Sequence, residues 1–200
     1  MPLISRGFRR RREDGDDPRL PPGQYWDPDF PVLTVGPTPR VTTGEWDFRI
    51  DGAVVAERRW TWDEMLALGP EDVTCDIHCV TKWSKRDTLW QGIPLDRLLA
   101  ESRPTGVHVL AWCDGGYTTD LQMADVTDGR AWLAVGYEGG AIPAEHGGPA
   151  RLLVPHLYFW KSAKWVRGLT ITAQREAGFW ERNGYHHRGD PFREERYEGD

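Results

Sequence analysis

Apolar and polar residues alternate along most of this chain with a period of two, which favours strands over helices. WDFRID (46–51) sets Trp46, Phe48 and Ile50 against polar partners and stops at Gly52, a half-buried strand. EDVTCDIHC (71–79) alternates likewise, with Val73, Cys75, Ile77 and Cys79 on one face and His78 on the other. GVHVLAWC, a DGG turn and YTTDLQM read as a hairpin. AWLAVGYEGGAI reads as a strand running into a Gly-Gly turn, and WVRGLTIT as the last strand. ARLLVP is almost wholly apolar and predicts a central buried strand. Helices are short: TWDEMLALG opens on a Thr61/Glu64 capping box and closes at Gly69, and IPLDRLLAES has Pro94 near its start. With no βαβ alternation, the class is α+β, sheet-rich and built on mixed or antiparallel sheet.

The same pattern divides the chain. Residues 1–40 hold PPGQYWDPDFP and GPTPR, too many prolines for a helix, and predict an extended arm strapped onto a surface by Tyr25, Trp26 and Phe30. Residues 41–176 form the domain proper. Residues 177–200 are an aromatic, charged tail of little regular structure, packed on the same domain. Arg9–Arg12, followed by Glu13, Asp14, Asp16 and Asp17, reads as a solvated stretch. The basic run leads into EDGDDPRLPPGQ, not the roughly 7–15 apolar residues of an export signal. No run approaches the roughly 18 apolar residues of a membrane span. The chain is expected to be cytoplasmic.

Composition narrows the function. A net charge of -6 argues against a nucleic-acid partner. Three cysteines in such a chain argue against a disulfide framework, so each is read singly. Only four of 25 basic residues are lysine, and they form two K-x-x-K pairs, Lys82/Lys85 and Lys161/Lys164. Lysine is a mobile point charge suited to phosphate, so the pairs are either coincidence or two borders of one anion site.

Chemistry concentrates in CDIHCVTKWSKRDTLW (75–90). Cys79 ends a strand where a loop with Lys82, Lys85 and Arg86 begins. A cationic loop favours thiolate, the form that binds metals, and the competing reading is a buried small hydrophobe. Cys75, four residues back at strand rise, is about 13 Å away and too far to share a metal. No second half of a zinc site follows, and no G-x-S-x-G, Walker A or G-x-G-x-x-G is present.

Two blocks carry a resemblance. IHCVTKWSKRDTLWQGIPLDRLL and GYEGGAIPAEHGGPARLLVPHLYFWKSAKWVRGLTI resemble, in order and spacing, the sulfite oxidase-like molybdopterin-dependent oxidoreductases, over roughly residues 40–175. The resemblance implies that family's fold and one molybdenum, held by one molybdopterin per chain and by the Cys79 thiolate. It implies pterin contacts from His146, Arg151, Ser162, Ala163 and Lys164, with Cys113 close by and further contacts within Phe30–Gly36. Lys82 and Arg86 would supply positive charge near the reacting centre. Trp83 and Trp90 would wall the pocket, Trp160 would pack near the pterin, and the lysine pairs would edge one anion cradle. Val-Thr-Lys-Trp-Ser after Cys79 departs from the Ala-Gly-Asn-Arg-Arg of animal and plant sulfite oxidases and is closer to the bacterial reductase-like branch. Oxygen-atom transfer to or from a small sulfur or heteroatom oxyanion or sulfoxide-type substrate follows as the expected reaction, with the electron partner open. The competing readings are a cofactor-free, Trp-rich binding or scaffold module and a thiol sensor using Cys79 and Cys75.

Overall fold

Strand pairing sorts residues 17–200, which the computed structural model describes, into two sheets. The arginine run at 9–12 and the acidic residues up to Asp16 lie outside the described residues. In chain order the elements are β1 (Tyr25–Trp26), β2 (Asp47–Gly52), β3 (Arg58–Thr61), α1 (Trp62–Ala67), β4 (Glu71–His78), β5 (Trp83–Pro94), α2 (Leu95–Ser102), β6 (His108–Cys113), β7 (Thr118–Gln122), α3 (Met123–Val126), β8 (Trp132–Tyr137), β9 (Gly140–Ala141), β10 (Arg151–Leu153), β11 (Val166–Thr172) and α4 (Phe179–Arg182). The fold is α+β and sheet-rich, and both sheets are mixed.

The first sheet runs β1-β5-β8-β10, with β4 also paired to β5 and β9 to β8. Only β1 is parallel to its neighbour, through Tyr25↔Trp83 and Trp26↔Ser84. The second runs β3-β2-β11-β6-β7, with β11 parallel to β2 and antiparallel to β6. β10 is wholly buried, as its apolar run demands, but it ends its ladder and is not central. Its outer edge is covered by the chain returning past residue 163, and Leu152 N donates to Ala163 O at 2.9 Å. The capping box of α1 forms: Glu64 Oε2 accepts from Thr61 N at 2.8 Å, and Thr61 Oγ1 accepts from Glu64 N at 3.4 Å.

The main core lies between the sheets. Phe48 and Ile50 of β2, Val109 and Ala111 of β6, and Leu169 and Ile171 of β11 meet Leu133 and Val135 of β8, Leu152 of β10, and Leu95, Leu98 and Leu99 of α2. Alternation puts the neighbours of these residues on the far face of the first sheet. There Val73, Ile77, Cys79, Trp83, Trp90, Ala134, Leu153 and Phe159 form a smaller cluster. The tail is more regular than its composition suggests: α4, a 3-10 turn at Pro191–Arg193 and a Tyr185–Tyr197 bridge fold it back on the domain. Among the described residues no helix is long and apolar enough to cross a membrane.

Candidate active site

Cys79 follows the last residue of β4, where the chain turns back into β5. Lys82 N donates to Cys79 O at 3.0 Å and Cys79 N to Trp83 O at 2.8 Å. Lys82 closes the turn at φ +79°. The alternation of β4 carries through, because Val73, Cys75, Ile77 and Cys79 all pack into the smaller cluster. His78 faces the other way, its Nδ1 2.9 Å from Ser84 Oγ. The Cys79 thiol is 8% exposed, with Thr81 Oγ1 3.1 Å from its sulfur. Burial pushes this thiol up, and hydrogen bonding by Thr81 and the charge of Lys164 offset only part of that rise.

The loop cations expected beside this sulfur lie elsewhere. Lys82 and Arg86 are exposed, and Arg86 lies over the Trp26 ring at 4.5 Å. Lys85 Nζ donates to Pro28 O at 2.6 Å, so it clamps the arm. Lys82, in the left-handed turn, and Arg86, at an exposed position on β5, are both absent from the lining of the cavity onto which Cys79 opens. Cys75 is no better placed for redox sensing, since burial pushes its thiol up to about 11.

Cys79 opens instead onto a cavity of about 350 Å³, within the range of small-molecule sites. The arm supplies one wall (Phe30, Pro31, Leu33, Thr34 and Val35) and the Cys79–Thr81 turn with Trp83 another. Residues 159–165 supply a third, and Tyr117, Trp180 and Tyr185 close the far end. Trp83 has its indole N–H buried without an acceptor.

Arg151, the first residue of β10, lines this cavity at 1% exposure. Nη1 donates to His146 O at 2.7 Å and Nη2 to Ser162 O at 2.6 Å, while Phe159 and Trp90 lie 4.0 and 5.5 Å from the guanidinium carbon. Among the described residues no carboxylate pairs with it, which leaves a buried cation with carbonyl partners alone. Burial accordingly lowers its pKa to about 9. Such a cation is costly unless an anion joins it.

Lys164 is the second cation of the cavity. Its Nζ donates to Leu33 O at 2.8 Å and Glu145 O at 2.7 Å, joining the arm to the 144–147 turn. Burial and the neighbouring Arg151 lower its pKa to about 8. The turn presses directly on this lysine: a Cβ at Gly147, φ +107°, would fall 2.9 Å from Lys164 Cβ, so only glycine fits. His146 lies beside the site, its ring stacked on Phe30 at 3.9 Å and its Nδ1 buried without a partner. Ser162 and Ala163 line the cavity, and Ser162 Oγ accepts from Val154 N at 2.9 Å.

Two expected neighbours fall outside. Cys113 faces the main core, with burial pushing its thiol far up. Lys161 is fully buried and points away from the cavity into an acidic pocket, with Asp120 Oδ1 at 2.8 Å and Glu181 Oε1 at 2.6 Å. The lysine pairs therefore do not form one cradle: of the four lysines, Lys164 alone lines the cavity. Sequence reasoning misses Tyr117, Trp180 and Tyr185. For Trp180 and Tyr185 the signal is the density of rings in FWERNGY, whereas Tyr117 opens YTTDLQM and carries no signal of its own.

Residues 35–180 match the oxidoreductase molybdopterin binding domain. The chain is 37% identical over 199 residues to an uncharacterized oxidoreductase, YuiH, of Bacillus subtilis, covering 96% of this chain and 99% of that one. It is 29% identical over 150 residues to a putative protein-methionine-sulfoxide reductase subunit, YedZ1, of Azospira oryzae, covering 72% of this chain and 56% of that protein. Among solved structures, the sulfane dehydrogenase SoxCD of Paracoccus pantotrophus shares the fold at a TM-score of 0.64 and 24% identity, over 74% of this chain and 42% of that one. The chain thus spans less than half of that structure's chain. A sheet-rich fold whose buried thiol, two cations and aromatic walls share one cavity, together with a family match over most of the sequence, identifies this chain as an oxidoreductase of the sulfite oxidase-like molybdopterin-binding family.

Proposed function

We propose that this enzyme transfers an oxygen atom to or from a small sulfur or other heteroatom oxide or oxyanion, at one molybdenum held by Cys79 and one molybdopterin per chain. The observation that carries the reading is the pairing of Cys79 and Arg151 across one cavity: a sulfur donor at the end of a strand, and a buried guanidinium with no carboxylate.

The residues present fit the group. Soft thiolate suits a redox metal already held by sulfur, and the molybdenum cofactor supplies the oxygen-atom and electron chemistry. Arg151 and Lys164 would hold its phosphate, a role in which each cation gains the anion it lacks. The Trp83 indole N–H is a free donor for a polar edge of the pterin, and Phe30 and Phe159 offer apolar walls. His146 would act through Phe30 and through its carbonyl on Arg151. Excluding water from the sulfur is the work of the arm, which Lys164 and Lys85 fasten down through Leu33 O and Pro28 O. Lys82, Arg86 and Cys113 are given no part in this reading. The substrate and a separate electron partner complete it.

The test is metal and pterin content of the purified chain after expression with ample molybdate. Wild type is expected to carry close to one molybdenum per chain, and Cys79→Ser less than about a tenth of that with the fold retained. A molybdenum-free wild type would leave only the binding or scaffold reading standing.

A further inference from the structure

Lys161 is the cation the reaction site does not use, yet its surroundings are built with care. Its ammonium donates to Asp120 Oδ1 at 2.8 Å, Asp120 O at 2.7 Å, Glu181 Oε1 at 2.6 Å and His187 O at 2.5 Å. The same Glu181 Oε1 also accepts from Trp160 Nε1 at 3.0 Å and Thr119 Oγ1 at 3.2 Å. Burial alone would raise the Asp120 carboxyl, but Lys161 and Arg175 hold it low. One carboxylate oxygen thus gathers a lysine, a tryptophan and a threonine from the 159–165 loop and β7.

Glu181 belongs to α4, between cavity residue Trp180 and exposed Arg182. Trp180 and Tyr185 meet at a tilt with ring centroids 4.7 Å apart, and Tyr185 meets Trp160 edge-on at 5.2 Å. All three rings line the cavity. α4 is only four residues long, and its N-cap Gly178 offers no side-chain cap. A helix this short does not hold its own position in water. The buried ion pair does it instead.

The wall also carries information about what it meets. The two cavity cations already donate to main-chain carbonyls and are taken by phosphate in the reading above, while Lys82 and Arg86 face solvent. The far end therefore offers a substrate ring faces and no free cation. Ring faces suit alkyl, aryl and thioether groups.

We propose that Lys161 is a positioning residue for the substrate end of the cavity. By tying Glu181 to β7 it holds Trp180 and Tyr185 against Trp160, as a wall that takes the apolar substituent of an uncharged organic oxide. This rests on the cavity being the reaction site, and it predicts that the substrate is not a bare inorganic oxyanion.

The test uses the full-length, molybdenum-replete protein with reduced benzyl viologen as donor and methyl p-tolyl sulfoxide as probe. Removing one ring contact is worth about tenfold in affinity. Trp180→Ala and Glu181→Ala should each raise KM about tenfold, with kcat within about twofold and molybdenum content unchanged. Glu181→Gln keeps an oxygen that can accept from Lys161 and Trp160, so it should restore KM to within about twofold of wild type. Lys161→Met should match Glu181→Ala, and if leaving the buried Glu181 carboxylate without its cation prevents folding, the Glu181 series decides alone. Binding of methyl phenyl sulfone, followed by tryptophan fluorescence, reads the wall without turnover and should weaken in the same order. Unchanged KM and Kd in Glu181→Ala and Trp180→Ala would overturn the proposal, as would loss of molybdenum in Glu181→Ala. A molybdenum-free wild type that still binds the sulfone would retire the oxidoreductase reading and leave the wall. A molybdenum-loaded wild type with no saturable sulfone binding would overturn the wall alone.

Discussion

The two faces of the first sheet have been put to opposite uses. Towards the second sheet, Ile93, Leu133, Val135, Leu152 and Val154 pack without a single charge among them. On the other face, one residue along the same strands, Leu153 and Ala134 share space with Arg151, Cys79 and Trp83. Leu152 and Arg151 are neighbours in sequence and both are essentially fully buried. One gains from burial at about 25 cal/mol per Å², whereas the other loses solvation that only hydrogen bonds and an anion can return. The inner face therefore sets stability, and the outer face spends some of it on a site.

That contrast breaks most visibly at Leu152. Leu152→Ala should destabilise the fold by about 2–5 kcal/mol, measured by urea unfolding, while the folded fraction keeps its cofactor. Cys79→Ser should invert the result, with molybdenum lost and stability within about 1 kcal/mol of wild type. Phe30→Ala removes the ring that meets Trp83, Trp90, Tyr137, His146 and Phe159. It should loosen the arm, seen as faster hydrogen exchange at 31–35, and lower cofactor retention severalfold, with a smaller cost in stability than Leu152→Ala.

The smallest effect concerns Lys164 in cofactor-free protein. Its folded pKa of about 8 lies below the ordinary lysine value of 10.5. Between those two pH values the unfolded chain binds the extra proton, so its contribution to stability rises with pH. Wild type should gain on Lys164→Met as pH increases from about 8 to about 10, read as a rise of its urea midpoint relative to that of the variant. A wild-type midpoint that falls relative to the variant's over that range would show the ammonium to be stabilised where it sits.

Much of this was legible in the alternation. For Cys113 the alternation of HVLAWC was the better guide than the resemblance, which put it close to the pterin: Val109, Ala111 and Cys113 share the inward face of β6, so a residue in phase with the core does not reach the cavity. Cys79, Arg151, Ser162, Ala163 and Lys164 were gathered from two distant blocks by resemblance, and all line the cavity. Their roles there await the experiments above. Side-chain direction was not legible in the loops. Nothing in the sequence says that, of two lysines three residues apart, one enters the cavity and the other a buried acidic pocket. The acidic partners sit 41 and 20 residues away. β1 escaped notice because two residues carry no period, and α4 because it is held by a long-range ion pair and not by its own pattern.

The hydrogen bond from Lys164 to Leu33 spans 131 positions of the chain. No local structure can therefore fasten the arm, because its anchor is set only once two segments that far apart in sequence have been brought together. Closure over the sulfur is a property of the finished tertiary structure and not of the segment that closes.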